Sequence, residues 1–431
     1  MNQSPQTWLP GDHQPGSHTP SSADDDRLVL ADGVLASGVR ADVVLRGSVV
    51  ADVVPAGQAR LTGDEVVELD GRLLVPAFVE PHAHLDKALI ADTFPNPAGD
   101  LNSAIEAIVD AWATLTVEDT ITRAVTAARK LVMSGVTAIR THADVIPEND
   151  SKSPEALAEV KRRLRGVCDL QVVAMAYPLT GSDSAIGRLA LDKAIGWGAD
   201  VVGGAPHLEH DPGAALAFIL ATASEHGLAV DLHMDEVLDV SVQHLAELAR
   251  QTEQSGMEGK VTASHCVSHG LLLPEEQREL GRILASSGVS VVTLPRTNLF
   301  IQARGVEQAP PRSLPGLRAL LDSGVTVAAG ADNVQDPFYT IGRSDPLETA
   351  TFLMAVAHFT VDEAFGAVTS GARHTMGLDP IRIAAGSPAE LVAVRASSIR
   401  EAIAEQPVDR IVIHRGKVVA RTSTESWVAG E

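Results

Sequence analysis

Apolar residues recur along the chain in short runs, and the character of these runs differs between the two ends and the middle. At both ends, runs rich in valine are broken by glycine and charged residues, a pattern typical of short β-strands. The runs are RLVLADG, RADVVLRGSVV, DEVVELDGRLLV, AELVAVRA and DRIVIHRGKVVARTS. We therefore expect one composite β-sandwich domain made of residues 27–74 and 384–431, with an antiparallel unit in its N-terminal part.

The middle of the chain alternates apolar runs with helical segments. Helices are predicted to begin at Ser153-Pro154, Asp211-Pro212 and Pro274 and to end near Gly166, Gly227 and Gly288. The apolar runs between helices are LLVPAFVEPHAH, VTAIRTHADV, LQVVAMAY, ADVVGGAP, LAVDLHMDE, KVTASHC, VSVVTLPR and VTVAAGADN. Eight such strands, mostly separated by helices, predict an α/β fold, a (β/α)8 TIM-type barrel of residues 75–383.

Charge and length narrow the range of partners. The 431 residues carry a formal net charge of −22, which opposes binding to nucleic acid or to an anionic membrane surface because both are polyanions. No apolar run approaches the roughly 20 residues that a membrane-spanning helix needs. We therefore expect a small-molecule substrate, with no nucleic-acid and no membrane partner.

The cysteine content and the first residues bear on the compartment. The chain has two cysteines, Cys168 and Cys266, which do not suggest a disulfide framework and suit a reducing cytoplasm. Residues 1–26 are rich in proline, serine, glycine and aspartate and lack the basic-then-apolar plan of a signal peptide. They predict a disordered tail.

Histidines and acids gather where the predicted barrel strands end. His82 and His84 end the first strand, His142 with Asp144 the second, His233 with Glu236 the fifth, His265 the sixth and Asp332 the eighth. Alternate residues of a strand point to one side, so the two histidines of the first strand face the same way. Any one of these residues alone would read as a core or surface side chain. Their repetition at the carboxyl ends, where barrel active sites lie, favours one common site.

Imidazole nitrogens together with a carboxylate oxygen suit a borderline divalent metal such as Zn²⁺ or Fe²⁺. The candidate ligands are His82, His84, His233 and Asp332. Such a metal lowers the pKa of a bound water and so supplies a hydroxide nucleophile. His265 can orient that nucleophile, and Glu236 can carry a proton to the substrate.

Five ordered motifs carry a family resemblance: VPAFVEPHAHLDK, RTHADV, DLHMDE, VTASHC and GADNVQDPF. From about Gly71 to the C-terminal RGKVVA, the chain resembles the cytosine deaminase branch of the amidohydrolase superfamily. The resemblance implies hydrolytic deamination with release of ammonia and the same four metal ligands. It also implies catalytic roles for Glu236, His265 and Asp332, the last accepting the proton of the nucleophile. One divalent metal ion per subunit is expected, because ADVVGGAP lacks the lysine that dinuclear relatives carry on this strand.

The chain departs from cytosine deaminases at base-recognition positions. Leu179 follows Pro178 where those enzymes have a glutamine, Asn333 stands in place of a second aspartate, and Phe338 replaces a tryptophan. An unsatisfied group in a buried pocket costs about 1–3 kcal/mol, so cytosine is not the expected preference. We expect a modified pyrimidine, an aminotriazine or a creatinine-like cyclic amidine. Asn333 and Lys87 also resemble N-isopropylammelide isopropylaminohydrolase, although that relative lacks the glutamate of HxxE that this chain keeps.

Several alternatives stay open from the sequence. The candidate substrate-binding residues are Leu179, His207, Asn298, Asn333 and Phe338, of which His207 and Asn298 could equally be loop residues facing water. His142 and Asp144 could support the site, whereas Arg140 and Asp144 could equally be buried structural ions. The same barrel could hydrolyse a cyclic amide, as in imidazolonepropionase or hydantoinase, or bind a ligand without catalysis. The subunit number is open, a homo-oligomer included.

Overall fold

The computed structural model describes residues 27–429 of the chain, and the predicted tail lies outside this range. In chain order the strands are β1 (Arg27–Leu35), β2 (Arg40–Arg46), β3 (Val49–Pro55), β4 (Glu65–Glu68), β5 (Leu73–Pro76), β6 (Phe78–Ala83), β7 (Val136–Val145), β8 (Asp169–Ala176), β9 (Val201–Gly204), β10 (Ala229–Met234), β11 (Val261–His265), β12 (Ser290–Thr293), β13 (Val327–Ala329), β14 (Leu391–Val394), β15 (Arg410–His414) and β16 (Lys417–Arg421). The α-helices are α1 (Leu101–Trp112), α2 (Val117–Met133), α3 (Lys152–Arg163), α4 (Ser184–Gly196), α5 (Pro212–His226), α6 (Leu245–Ser255), α7 (Pro274–Ser286), α8 (Pro295–Ile301), α9 (Leu317–Asp322), α10 (Pro346–Ala357), α11 (Val361–Ala367), α12 (Ser370–Thr375) and α13 (Ile399–Glu405).

Strands β6 to β13 lie side by side in chain order and run parallel to one another. Each of the eight predicted apolar runs contains all or nearly all of one of these strands, which confirms the predicted barrel. Strand β7 is buried at all ten of its positions, as expected where side chains inside the barrel and under the helices are both removed from water. The carboxyl ends of the strands meet at one edge and position the site described below.

The helices α3, α5 and α7 occur close to their predicted limits. In α5 the side chain of Asp211 accepts a hydrogen bond from the Ala214 N–H, and Pro212 occupies the first turn, where no N–H partner is needed. Gly227 ends the helix with a φ of +68°, a conformation that glycine adopts at little energetic cost. The helix limits therefore follow from local side-chain chemistry.

A second, mixed sheet is built from both chain ends in the order β16-β15-β14-β5-β1-β2-β3, with β4 paired to β1. The expected composite origin is confirmed, whereas the expected antiparallel N-terminal unit is wrong in part. Strand β4 pairs in parallel with the first half of β1 and β5 with its second half. Both therefore run in the direction of β1, and β14 from the C-terminal end takes the antiparallel position beside β5. The domain limits 27–74, 75–383 and 384–431 remain proposals.

The predicted first barrel strand, LLVPAFVEPHAH, is divided between the two sheets. Strand β5 pairs with β14 of the mixed sheet, whereas β6 pairs with β7 of the barrel. The change occurs at Ala77, whose N–H donates to Glu390 O (3.0 Å), while the next N–H, of Phe78, donates to Gly135 O (3.0 Å). One apolar run thus serves two sheets, because the backbone exchanges partners within a single residue.

A buried ion pair joins the mixed sheet to the barrel. The Arg410 guanidinium of β15 donates two hydrogen bonds to the Asp345 carboxylate (3.0 and 2.8 Å), and both side chains are about 1% exposed. Asp345 also begins α10, since its side chain accepts a hydrogen bond from the Leu347 N–H.

None of the helices between residues 27 and 429 is long and apolar enough to cross a membrane.

Candidate metal centre and active site

Three histidines and one aspartate converge at the carboxyl ends of the barrel strands. His82 and His84 come from the end of β6, His233 from β10, and Asp332 follows β13. The His84 Nε2 atom lies 3.2 Å from His233 Nε2 and 3.3 Å from Asp332 Oδ1, and His82 Nε2 lies 3.7 Å from the same oxygen. All four side chains are buried. The residues predicted as metal ligands are thus placed together.

The chemistry of this cluster fits a divalent cation. The ligand atoms of His82, His84 and Asp332 lie within 4.8 Å of one another, as do those of His82, His142 and His233. Within residues 27–429, several buried polar atoms of this cluster have no hydrogen-bond partner: His82 Nε2, His84 Nδ1, both ring nitrogens of His142, His233 Nδ1, His265 Nε2 and Asp332 Oδ2. Unpaired buried polar groups are unfavourable. Their concentration at one point therefore favours a bound cation.

The protonation states also suit metal binding. Burial, followed by the positive charge of neighbouring groups, holds the pKa of His82, His84, His142 and His233 well below its usual value. The four imidazoles are therefore neutral near pH 7. Neutral imidazole is the form that binds a metal ion.

A hydrogen-bond chain beneath the cluster orients His82. Arg140 donates to Asp231 Oδ2 (2.8 Å), Ser264 Oγ donates to Asp231 Oδ1 (2.8 Å), and His82 Nδ1 lies 3.0 Å from Ser264 Oγ. Because the single hydroxyl proton of Ser264 goes to the carboxylate, the hydroxyl oxygen accepts from His82 Nδ1–H. The His82 Nε2 lone pair is then free for a metal ion. Asp231 and Ser264 were not expected at the site from the sequence.

His142 lies closer to the cluster than expected of a supporting residue. Its ring packs against the ring of His82 with a centroid distance of 3.9 Å, and its Nε2 lies 3.8 Å from Asp231 Oδ1. Its neighbour Arg140 forms the buried ion pair with Asp231, the structural role considered for Arg140. His142 is thus a further candidate ligand, and its position in RTHADV was the signal.

Glu236 and His265, the predicted catalytic groups, lie beside the cluster. His265 Nδ1 is 3.2 Å from Glu236 Oε1, and His265 Nε2 is 4.0 Å from Asp332 Oδ2. Burial, with a smaller contribution from the Asp332 charge, raises the pKa of Glu236 well above its usual value. Burial lowers the pKa of His265 to about 4. The raised pKa of Glu236 favours its protonated form, and the lowered pKa of His265 favours the neutral imidazole.

A cavity of about 890 Å³ opens onto these groups. His207, Asn333 and Phe338 line it, together with His84, Glu236 and the other groups of the site. Leu179 and Asn298 have other positions. The Leu179 side chain is buried in the barrel core while its N–H donates to Glu209 Oε1 (2.7 Å), and Asn298 Oδ1 lies 3.3 Å from His265 Nδ1. Three of the five candidate substrate-binding residues thus face the cavity.

A buried lysine occupies one wall of the cavity. Lys87 Nζ donates to Asp144 Oδ1 (2.7 Å) and lies 5.3 Å from the centre of the Phe338 ring. The other Asp144 oxygen accepts from the Trp112 indole N–H (3.1 Å). Both Lys87 and Asp144 line the cavity. The nearby Asp86 carboxylate accepts the N–H of Asp144 (2.9 Å), which fixes the backbone at this wall.

The outer part of the cavity is largely apolar. Helix α1 provides one side with Leu101, Ile105, Ile108 and Val109, and Ile146, Met175 and Ile186 complete it. Helix α1 could not be assigned to the site from the sequence. Its apolar periodicity indicates a helix with one buried face, but the same pattern serves a helix packed on the core and a helix lining a cavity.

A parallel barrel with a buried histidine and aspartate cluster at the carboxyl ends of its strands defines the class of barrel metal hydrolases. The chain belongs to the amidohydrolase family, which matches residues 113–431. It is 32% identical over 391 residues to a pterin deaminase from Rhizobium rhizogenes, with 89% of each chain covered. These matches confirm the family resemblance carried by the five motifs.

Two solved structures are also similar over nearly their whole length. A 5-methylcytosine deaminase from Klebsiella pneumoniae, liganded with 5-fluorocytosine, has a TM-score of 0.85 and 29% identity, covering 93% of this chain and 99% of its own. The N-isopropylammelide isopropylaminohydrolase from Burkholderia multivorans has a TM-score of 0.80 and 29% identity, covering 92% and 98%. Both the mixed sheet and the barrel thus have counterparts in solved structures.

Proposed function

We propose that the chain is a metal-dependent hydrolytic deaminase of an amino-substituted nitrogen heterocycle. The observation that carries this proposal is the pair of Glu236 and His265, 3.2 Å apart, beside the histidine and aspartate cluster on the cavity wall. A buried carboxyl group with a raised pKa can donate a proton near neutral pH. Deamination of a ring amidine needs such a donor at the ring nitrogen.

The ligands that would hold the metal are His82, His84, His233 and Asp332, which supply three nitrogens and one oxygen. Zn²⁺ and Fe²⁺ both suit this set. When bound, such a metal activates water for attack on the substrate. His142 lies in a second group with His82 and His233 and could complete the coordination.

The protein groups then move the protons. Water adds to the ring carbon that bears the amino group, and Glu236 donates a proton to the adjacent ring nitrogen. Asp332 accepts one proton from the water and delivers it to the departing amino group, while neutral His265 orients the water. As the carbon–nitrogen bond to the amino group breaks, the remaining hydroxyl proton of the added water returns to Glu236. The products are the oxo heterocycle and ammonia.

The cavity favours a substrate larger than one pyrimidine ring. Its volume, about 890 Å³, lies towards the upper end of the 300–1,000 Å³ that is usual for small-molecule sites. Lys87 Nζ has three donors and, within the described residues, one hydrogen-bond acceptor, Asp144. The other two N–H donors of Lys87 can bind an oxo group of the substrate. A bicyclic amino-oxo ring such as a pterin is larger than one pyrimidine ring and carries such an oxo group, and the R. rhizogenes relative is a pterin deaminase.

Substrate contacts are assigned by position in the cavity. His207, Asn333 and Phe338 face it and are proposed to contact the ring. Asn298 would act through its hydrogen bond to His265. Leu179 lies between Pro178 and Thr180, which line the cavity, and would act by holding the backbone of these two residues in place. Cytosine is not the expected preference, because a ring of that size leaves most of the cavity unfilled.

A screen for ammonia release tests the proposal. Pterin, 5-methylcytosine, an aminotriazine, creatinine and cytosine would be compared with metal content measured on the same sample. Glu236→Gln should lower kcat by about 10²- to 10⁴-fold, the usual contribution of a general acid, with the metal content unchanged. Glu148→Gln changes an exposed carboxylate on the same cavity and should keep the parent rate. Parent-like turnover by Glu236→Gln would refute the catalytic assignment.

Cyclic amide hydrolysis is distinguished by stoichiometry. Ring opening consumes substrate without free ammonia, whereas deamination releases one ammonia for each molecule consumed. If neither occurs and the metal-loaded protein still binds a compound of the screen, the barrel is a binding protein.

A further inference from the structure

The barrel closes where β13 meets β6, and three of the four proposed metal ligands lie at this seam. His82 and His84 belong to the β6 side, and Asp332 follows β13. The distances between their ligand atoms therefore depend on how the two chain segments are held together.

Main-chain pairing at the seam is sparse. Strands β7 and β8 pair at eight positions, whereas the described part of the chain shows at the seam a single isolated bridge, Ala83 with Asp332. Its hydrogen bonds run from Asp332 N to His82 O (2.9 Å) and from His84 N to Asp332 O (3.2 Å). Two backbone hydrogen bonds thus join the ligand residues directly, but no ladder of strand pairs extends on either side of them.

The Glu80 carboxylate adds further hydrogen bonds across the seam. Its Oε1 atom accepts the His82 N–H (3.1 Å), and both of its oxygens accept the Ala331 N–H (3.0 Å each). The side chain is about 2% exposed. One carboxylate therefore joins the backbone of a histidine ligand to the backbone immediately before the aspartate ligand.

The neighbouring residue is adapted to this carboxylate. A Cβ atom on Gly330 would lie 2.5 Å from Glu80 Oε1 and 3.0 Å from His82 O. A real Cβ cannot approach that closely, so either Glu80 or the backbone would have to move. Glycine at position 330 allows Glu80 to reach across the seam.

We propose that Glu80 is a positioning residue that sets the spacing between the histidine and aspartate ligands across the barrel seam. This inference rests on the metal site of the proposed function. Metal sites tolerate ligand displacements of only about 0.2 Å, so a small shift of either backbone weakens binding. Groups that orient ligands typically contribute about 10- to 100-fold to metal affinity or activity.

Glu80→Gln tests the proposal because it keeps the shape of the side chain but places an NH₂ group against a backbone N–H. The measurements are the Zn²⁺ dissociation constant, by competition with a chromophoric chelator, and the visible spectrum of the Co²⁺-loaded protein. We expect about 10- to 100-fold weaker Zn²⁺ binding and an altered Co²⁺ spectrum, since that spectrum reports ligand geometry. Neither readout requires a substrate, so the result is independent of whether deamination is found.

Asp42→Asn is the matched control. Asp42 is also a fully buried carboxylate that accepts backbone N–H groups, from Asp32, Gly57 and Ala59, but it lies in the mixed sheet. The Asp42→Asn substitution should lower the unfolding midpoint while leaving the Zn²⁺ affinity within about twofold of that of the parent. A purely structural role for Glu80 predicts this same behaviour for Glu80→Gln, and that outcome would overturn the proposal.

Gly330→Ala gives a second test that leaves the carboxylate in place. Its Cβ displaces Glu80, so it should also weaken Zn²⁺ binding and change the Co²⁺ spectrum. Gly196→Ala adds a methyl group on α4 with no atom within 4 Å and should bind Zn²⁺ like the parent. Parent-like binding by Gly330→Ala would likewise count against the role of Glu80.

Discussion

Ser264→Ala tests the hydrogen-bond chain beneath the metal cluster. The substitution removes two buried hydrogen bonds, the one that Ser264 donates to Asp231 and the one that it accepts from His82. A buried group left unpaired costs about 1–3 kcal/mol. Asp231 keeps its hydrogen bond from Arg140, so its energetic cost is at the low end of this range, about 1 kcal/mol. The unpaired His82 Nδ1–H costs about 1–3 kcal/mol more, which is the full range. The free energy of unfolding of the metal-free protein should therefore fall by about 2–4 kcal/mol.

The effect on metal binding follows from the tautomer of His82. Without Ser264, the ring no longer has a fixed Nδ1–H and a free Nε2 lone pair. Loss of such an orienting partner weakens metal binding by about 10- to 100-fold, which corresponds to about 1.4–2.8 kcal/mol at 1.4 kcal/mol per tenfold change. Chelator competition measures the affinity, and urea titration of the metal-free protein measures the stability.

Ser153→Ala is the control for this prediction. Ser153 is also fully buried and donates to a buried carboxylate, that of Asp86 (2.8 Å), but it lies in α3. It should lower stability without a comparable loss of Zn²⁺ affinity. Equal Zn²⁺ affinities for Ser264→Ala, Ser153→Ala and the parent would refute the orientation of His82 by Ser264.

Two further predictions concern stability away from the site. Arg410→Met leaves the buried Asp345 carboxylate without its bidentate partner, and breaking a buried pair in this way costs about 3–5 kcal/mol. The urea midpoint of Arg410→Met should therefore fall sharply. Arg343→Met removes a half-exposed partner of the same carboxylate, and its midpoint should stay near that of the parent. Equal midpoints for the two variants would contradict this reasoning. The hydrogen bond from Arg318 lowers the pKa of Glu363 to about 2, below the unfolded value of about 4.3. This contribution to stability is therefore present above about pH 4.3 and is lost as the pH falls towards 2. Glu363→Gln should show a shallower loss of thermal stability between about pH 5 and 2, and a slope equal to that of the parent would count against the pairing.

The barrel could be predicted from sequence because eight mainly apolar runs alternate with helical segments. Strand β7 is buried at all ten positions, including those of Arg140, His142 and Asp144. The position of Ala77, where one apolar run passes from the mixed sheet to the barrel, could not be predicted. The two strands β5 and β6 share one continuous apolar run, LLVPAFV, at residues 73–79. Only their partners, β14 and β7, distinguish them.

In the site, too, features set by neighbouring residues could be predicted from the sequence, whereas contacts between distant segments could not. The same-side placement of His82 and His84 follows from strand alternation, a local rule. Glu80 stands in the same motif, but its partner Ala331 lies 251 residues further along the chain. Ser264 is a small polar residue inside a buried strand, and nothing next to it in sequence indicates its bond to His82. Contacts between distant strands therefore cannot be predicted from the motif in which one partner lies.

The pairing of the two chain ends has a consequence for synthesis on the ribosome. Pro76 of β5 pairs with Leu391 of β14, so almost the entire barrel is translated between these two partners. At about 5–20 residues per second, β5 keeps an open edge for on the order of half a minute. An open apolar edge can pair with strands of other chains. The nascent protein thus completes its N-terminal sheet only when its last strands emerge, and a chain that stops early exposes the apolar edge at Leu73–Pro76 to aggregation.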